Sequence, residues 1–198
     1  MKNQLIGVVF VIGLCLSSFA QENEEMYLLE SDNTWLKEII KFPFGFAQDI
    51  DFEGYEDLRF AKDWSKPNSS EFFTYAFVWN INLKKIPTID IVTSNIKLYY
   101  DGLMAAVNKD SEFTVPKTIV KFSLNKKKSE LPGFRGVMQI YDSFFTEKVI
   151  DLYVTVVTLY CETRKDYLLF FKVSSKSYEN EVWKKLNTVK LKANYCKR

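Results

Sequence analysis

A long uncharged segment near the N-terminus predicts export from the cytoplasm. The basic residue Lys2 precedes an uncharged, mainly apolar run at residues 5–16, and small residues follow at Ser18 and Ala20. This order of segments is that of a secretory signal peptide, with cleavage expected near Ala20. The run is shorter than the roughly 20 apolar residues that a membrane-spanning helix needs. We therefore expect a secreted or periplasmic protein that has no transmembrane segment after signal cleavage.

Three later segments have apolar residues at helical spacing and predict helices. The first lies before Pro43, the second begins at Thr88, which is a good N-cap residue, and the third covers about residues 178–186. The apolar positions that define these helices are Trp35, Leu36, Ile39, Ile40, Ile89, Val92, Ile96, Leu103, Val182, Trp183 and Leu186.

Alternating or continuous apolar runs predict about six strands. The strongest covers residues 71–83, where neither face is strongly polar, so that we expect a central strand covered on both sides. The other predicted strands are residues 49–53 continuing into 55–61, and residues 115–124, 134–141, 149–161 and 167–173.

The order of these elements favours the α+β class, because strands occur in runs and do not alternate with helices. Short separators between the later strands permit antiparallel connections. With residues 1–20 as the signal peptide, residues 21–198 are long enough for a single globular domain. We expect a curved, mainly antiparallel sheet of about six strands with helices packed on one face.

The charge of the chain argues against nucleic-acid binding, and the uneven distribution of its acidic and basic residues has two interpretations. The chain has 27 basic and 25 acidic residues, so it lacks the basic excess that nucleic-acid binding requires. Residues 21–63 nevertheless carry twelve acids and four bases, which leaves the rest of the chain basic. Either the two regions attract each other within the fold, or a basic face meets an acidic partner.

Two cysteines, Cys161 and Cys196, remain after the predicted cleavage. In an oxidising compartment an even number of cysteines indicates a disulfide, which here would join the C-terminal tail to a strand. The alternative is two separate free thiols.

The chain contains no histidine, which removes several kinds of chemistry. Ser-His-Asp and Cys-His catalysis and histidine-based zinc sites are excluded. No motif for a phosphate or dinucleotide cofactor is present, so we predict no catalytic residue, no metal ligand and no cofactor. Glu56 and Asp57 are adjacent on a predicted strand, and their side chains are therefore expected on opposite faces.

Aromatic residues are the most distinctive side chains, with 17 Phe and 11 Tyr. One interpretation is core packing, since aromatics contribute much of the buried area of a core. The other is the lining of an apolar or sugar-binding pocket. The candidates for such a pocket are Trp64, Phe73, Tyr75, Phe77, Trp79 and Tyr100.

The segments FPFGFA (42–47), GYEDLRF (54–60), FTYAFVW (73–79) and YYDGL (99–103), together with Trp64, resemble a group of uncharacterised exported bacterial proteins. The resemblance implies no activity, cofactor or catalytic residue.

Export, the aromatic sheet and the missing catalytic groups lead to the hypothesis of a non-catalytic binding or accessory protein. Its partner would be an unknown small molecule or an envelope protein. The alternative is a carboxylate-dependent hydrolase of envelope or extracellular glycans, which needs two carboxyl groups about 5–9.5 Å apart in one cleft.

Overall fold

The structure is a computed structural model that describes residues 26–110, 112–125 and 132–196. The predicted signal peptide, residues 1–20, and the cleavage position near Ala20 lie outside the described residues. Neither helix in the described ranges is both long and apolar enough to cross a lipid bilayer.

The described residues form nine strands and two helices. In chain order these are β1 (Leu29–Glu30), β2 (Leu36–Lys41), β3 (Gly54–Phe60), β4 (Tyr75–Leu83), α1 (Ile89–Val107), β5 (Ile119–Leu124), β6 (Gly133–Asp142), β7 (Lys148–Cys161), β8 (Asp166–Ser174), α2 (Val182–Leu186) and β9 (Lys190–Leu191). The composition is therefore mainly β, with less helix than the predicted α+β class implies.

Seven of these strands make one open antiparallel sheet in the order β2-β3-β4-β8-β7-β6-β5. Two meanders, β2-β3-β4 and β5-β6-β7-β8, meet where β4 pairs with β8. The antiparallel pairing of the later strands confirms the expectation drawn from their short connections. The sheet has seven strands where about six were predicted.

The sheet has two faces, which the alternation along β4 defines. On the first face, Tyr75, Phe77 and Trp79 belong to the larger hydrophobic core. On the second face, Ala76 and Val78 belong to a separate, smaller core. The strongest predicted strand is thus confirmed as a central strand that is covered on both sides.

Helix α1 covers the first face, as its apolar stripe predicts. The Thr88 side chain caps it by accepting a hydrogen bond from the Ile91 N–H at 3.3 Å. The stripe that packs into the larger core consists of Val92, Ile96, Tyr99, Tyr100 and Met104.

Helix α2 lies on the second face, so the expectation that the helices share one face is wrong. Its buried residues Val182, Trp183 and Leu186 pack in the smaller core with Ala76 and Phe170. The helix is also shorter than the predicted 178–186, because the chain up to residue 181 forms turns.

The first predicted helix is wrong as well, since residues 36–41 form the edge strand β2. Four apolar positions over six residues are too few to separate a helical from an extended pattern. The two adjacent isoleucines, Ile39 and Ile40, favour the strand.

The predicted strand at residues 49–53 is an irregular segment. Ile50 is completely buried there and Phe52 packs against the larger core. Their alternation with acidic residues reflects anchoring of a loop and not strand pairing.

The C-terminal tail is held by the predicted disulfide, which joins Cys161 at the end of β7 to Cys196. Nearby, the tail and the N-terminal segment form a two-stranded ribbon in which Leu29 is paired with Leu191.

Candidate functional site

The predicted aromatic pocket residues lie in tight packing. Phe73, Tyr75, Phe77, Trp79 and Tyr100 are all at most 5% exposed. Trp64 is half-buried. Phe77, for example, stacks on Phe171 with ring centroids 4.5 Å apart, and Trp64 lies 4.5 Å from the Phe60 ring. Neither of the two cavities described below is lined by any of the six residues.

One carboxyl group is enclosed within this aromatic core. The Trp79 indole N–H donates to Glu56 Oε1 at 3.0 Å, and the Tyr99 hydroxyl donates to Glu56 Oε2 at 3.2 Å. Burial raises the pKa of Glu56 to about 8, although these two hydrogen bonds oppose the shift. The group is fully buried, so it serves the packing of the core.

Asp57 points to the opposite face, as the alternation predicted. Its carboxylate forms a buried ion pair with Arg59 and accepts the backbone N–H groups of Leu28 and Leu29 at 2.7 and 2.9 Å. Burial is the main cause of the raised pKa of Asp57, against which Arg59 acts. Glu56 and Asp57 are therefore two separate structural groups, and they do not form an acid–base pair.

The second face carries a cavity of about 400 Å³ beside helix α2. Most of its walls come from strands β6, β7 and β8 and from the segment that contains α2. The lining residues are Asn125, Arg135, Thr155, Val156, Val157, Phe170, Lys172, Tyr178, Trp183 and Asn187.

A row of three polar side chains crosses the sheet at this cavity. Arg135 on β6 is paired with Thr155 on β7, and Thr155 is paired with Lys172 on β8. Paired residues of neighbouring strands present their side chains on the same face. The short threonine therefore stands between two long cationic side chains, whose backbones are about 10 Å apart, two inter-strand spacings.

An apolar floor continues from this row along the same strands. Val157 and Phe170 are paired two residues further along β7 and β8, and they face the same side as Thr155 and Lys172. The Lys172 ammonium nitrogen lies 5.4 Å from the centroid of the Phe170 ring, so a cation and apolar surface lie side by side in the cavity.

The remaining wall is formed by a cation and two aromatic rings that contact one another. The Arg135 guanidinium carbon lies 4.0 Å from the centroid of the Tyr178 ring, and this ring lies 4.8 Å from the Trp183 ring. A cation over the face of an aromatic ring is attracted to its π-electrons. This attraction holds the guanidinium beside the row.

Backbone contacts fix these two aromatic residues. The Tyr178 hydroxyl accepts the Gly136 N–H at 3.0 Å and lies within 2.8 Å of the carbonyl oxygens of Gly136 and Val154. The Trp183 indole N–H donates to the Lys176 carbonyl at 3.0 Å. The polar ends of both side chains are therefore engaged, and both residues are held in place where they line the cavity.

The Lys172 ammonium group donates to Asn187 Oδ1 at 3.0 Å. Burial, followed by the nearby charge of Lys190, lowers the pKa of Lys172 to about 8. Because this value lies above neutrality, Lys172 is mainly protonated at pH 7.

No carboxylate lines the cavity among the described residues. The exposed Glu179 feels the charge of Arg135, although a hydrogen bond with Ser177 is the main cause of its lowered pKa. Glu179 is not a lining residue, so within the part of the chain that the structure describes two positive charges and no carboxylate line this space.

A second cavity of about 280 Å³ lies between the end of α1 and residues 113–117. Its carboxylate, Asp101, accepts the Thr118 N–H at 2.7 Å and lies 3.8 Å from the Lys117 ammonium nitrogen. These contacts engage Asp101 in fixing the loop that follows the helix.

Comparison of the chain with protein-family models, curated proteins and solved structures finds no match. The resemblance to exported bacterial proteins stays a prediction, and the assignment of a function depends on the geometry described above.

The sequence interpretation missed the cavity on the second face. A signal was present in the alternation, since Arg135, Thr155 and Lys172 each interrupt the apolar residues of a predicted strand on one face. The signal was not usable without the strand register, because only the pairing brings the three positions together.

Proposed function

We propose that this chain is an exported protein that binds a small molecule in the cavity on the second face and carries out no reaction on it. The observation that carries the proposal is a cavity whose aromatic walls, Tyr178 and Trp183, are fixed by hydrogen bonds to backbone groups. A site that is already ordered loses little conformational entropy on binding, which favours affinity.

Two further features support export and binding. The signal-peptide pattern is independent of the fold, and the Cys161–Cys196 disulfide suits an oxidising compartment. The cavity volume of about 400 Å³ lies within the range of about 300–1,000 Å³ that is typical of small-molecule sites.

The hydrolase alternative has no support at either cavity. The described lining of the first cavity contains no carboxylate, and that of the second contains only Asp101. A retaining or inverting glycosidase needs two carboxyl groups in one cleft.

The test is native mass spectrometry of the protein purified gently from its own compartment. We expect a chain that begins at Gln21 and carries extra mass, and this extra mass should disappear on denaturation. A full-length chain would contradict export, and a bare mass would contradict a retained ligand.

A cavity-filling pair of variants locates the ligand. Thr155→Trp places a large ring between Arg135 and Lys172, and we expect it to abolish the extra mass. Val149→Trp is the matched control, because Val149 is 50% exposed and lies on the same face of the same strand outside the cavity lining. Loss of the extra mass in both variants, or in neither, would contradict the assignment of the ligand to this cavity.

A further inference from the structure

Resting on the proposed function, we infer that the cavity binds an organic carboxylate with a flat apolar body, whose anionic head lies above Thr155 between Arg135 and Lys172. The inference names a ligand class and a binding orientation for a site whose occupant is otherwise unspecified.

The spacing of the row suits a carboxylate head. Two cations whose backbones stand about 10 Å apart have side chains long enough to converge over the residue between them. Thr155 leaves this space open and places a hydroxyl at its base. Charge-assisted hydrogen bonds of about 2.7–2.9 Å to both cations then fit one small anionic group.

The arginine lies at the cavity beside the row. Its guanidinium carbon is 4.0 Å from the centroid of the Tyr178 ring, and Arg135 lines the cavity. A guanidinium edge matches the two oxygens of a carboxylate, whereas the Lys172 ammonium acts as a point charge.

The charge of the site favours an anion over a neutral or cationic head. Lys172 is half-buried, and burial together with the nearby charge of Lys190 lowers its pKa to about 8, which reports the cost of holding its charge there. An anion above Thr155 would offset this unfavourable environment, since opposite charges stabilise each other most where water is excluded.

The apolar residues that line the cavity account for the flat apolar body. Val157, Phe170 and Trp183 offer hydrocarbon and ring surface, and the indole N–H of Trp183 is already used by the Lys176 carbonyl. A purely inorganic anion would leave this surface in contact with water.

The experiment uses two probes of the same shape on the mature protein. Cinnamate carries the carboxylate, and cinnamamide replaces it with a neutral amide. Binding is followed by NMR through the shift of the Trp183 indole N–H, which Trp183→Phe identifies. We expect cinnamate to bind at least about tenfold more tightly than cinnamamide, because hydrogen bonds between charged groups are stronger than those to a neutral amide.

Charge-removing variants test the orientation. Arg135→Gln and Lys172→Gln should each weaken cinnamate binding about tenfold or more and should leave cinnamamide binding nearly unchanged. Lys121→Gln is the matched control, since Lys121 is an exposed residue on the same face that does not line the cavity. Arg135→Lys keeps the charge without the planar edge, and we expect an intermediate loss.

Each result bears on the inference. Equal binding of the two probes, or no effect of either charge-removing variant, would overturn the carboxylate class. Failure of cinnamate to bind up to about 10 mM would also overturn it. A native mass spectrum with extra mass that Thr155→Trp removes would still support the proposed function, so the two failures remain distinguishable.

Discussion

Two ionisable groups on opposite faces of the sheet, Glu56 and Lys172, lie in contrasting surroundings. On the first face, Glu56 is fully buried and both of its oxygens are hydrogen-bonded by aromatic side chains. On the second face, Lys172 is half-buried beside an open cavity and in line with Arg135. Both groups have a pKa of about 8, yet that of Glu56 is raised and that of Lys172 is lowered.

The comparison shows that burial acts on both groups but leads to different states. At neutral pH, burial makes Glu56 mainly a neutral member of the core, whereas Lys172 keeps its charge. A neutral group that is completely enclosed stabilises packing. A charge at the wall of a cavity is available to a ligand. The second face is therefore the place to look for function.

The largest expected effect concerns the first face and the pH dependence of stability. Burial raises the pKa of Glu56 from its ordinary value of 4.5 to about 8. Between these values the unfolded chain releases a proton that the folded chain retains, so stability is lost as the pH rises through this window. The loss should reach up to about 5 kcal/mol, and Glu56→Gln should remove it.

Urea unfolding at pH 5, 7 and 9 measures this difference. We expect Glu56→Gln and the wild type to differ least at pH 5 and most at pH 9, where the variant should be relatively more stable. Glu53→Gln, at an exposed position, is the control. Parallel pH profiles of the wild type and Glu56→Gln would contradict the enclosed neutral carboxyl group.

A smaller change in stability is expected from substitution of Arg59, where the second face is covered. Arg59 lies in the same cross-strand row as Lys172, with Ala76 between them, but it is completely buried and paired with Asp57. Arg59→Gln would leave the Asp57 carboxylate buried without its cation, at a cost of about 3–5 kcal/mol. Chemical denaturation at pH 7 measures this loss, and a cost below about 1 kcal/mol would show that the pair is dispensable.

The smallest change in stability is expected from substitution of Lys172, where the same row borders the open cavity. Lys172→Gln removes a charge that has no carboxylate beside it in the described cavity lining, so we expect the free energy of unfolding to change by less than about 1 kcal/mol. The same denaturation experiment provides the comparison with Arg59→Gln. A loss as large as that of Arg59→Gln would mean that Lys172 is a structural residue, and the contrast between the covered and open parts would disappear.

Sequence patterns were informative where they were long. The 19-residue α1, with its Thr88 cap, and the later strands were predicted because many positions repeat the same period. The six residues of β2 were too few, and their helical spacing was accidental. The side on which α2 packs depends on tertiary contacts that no local pattern specifies.

The candidate site shows a different limit of prediction from the sequence. The aromatic residues that stood out in the sequence serve the core, while Arg135 and Lys172 stood out in neither number nor spacing. They are 37 positions apart in the chain and become neighbours of one threonine only through two strand registers. The pairing of the cysteines was predictable because only two lie outside the predicted signal peptide.

The ribbon of β1 and β9 sets a condition on how the domain is completed during its synthesis. Leu29 pairs with Leu191, and the Lys192 N–H donates to the Leu28 carbonyl at 2.8 Å. A chain that emerges with its N-terminus first must hold residues 28–30 without their partner strand until residues 190–192 have been delivered. The ribbon therefore forms only after the seven-stranded sheet has been synthesised, and a chain truncated before Lys190 lacks the strand that pairs with β1.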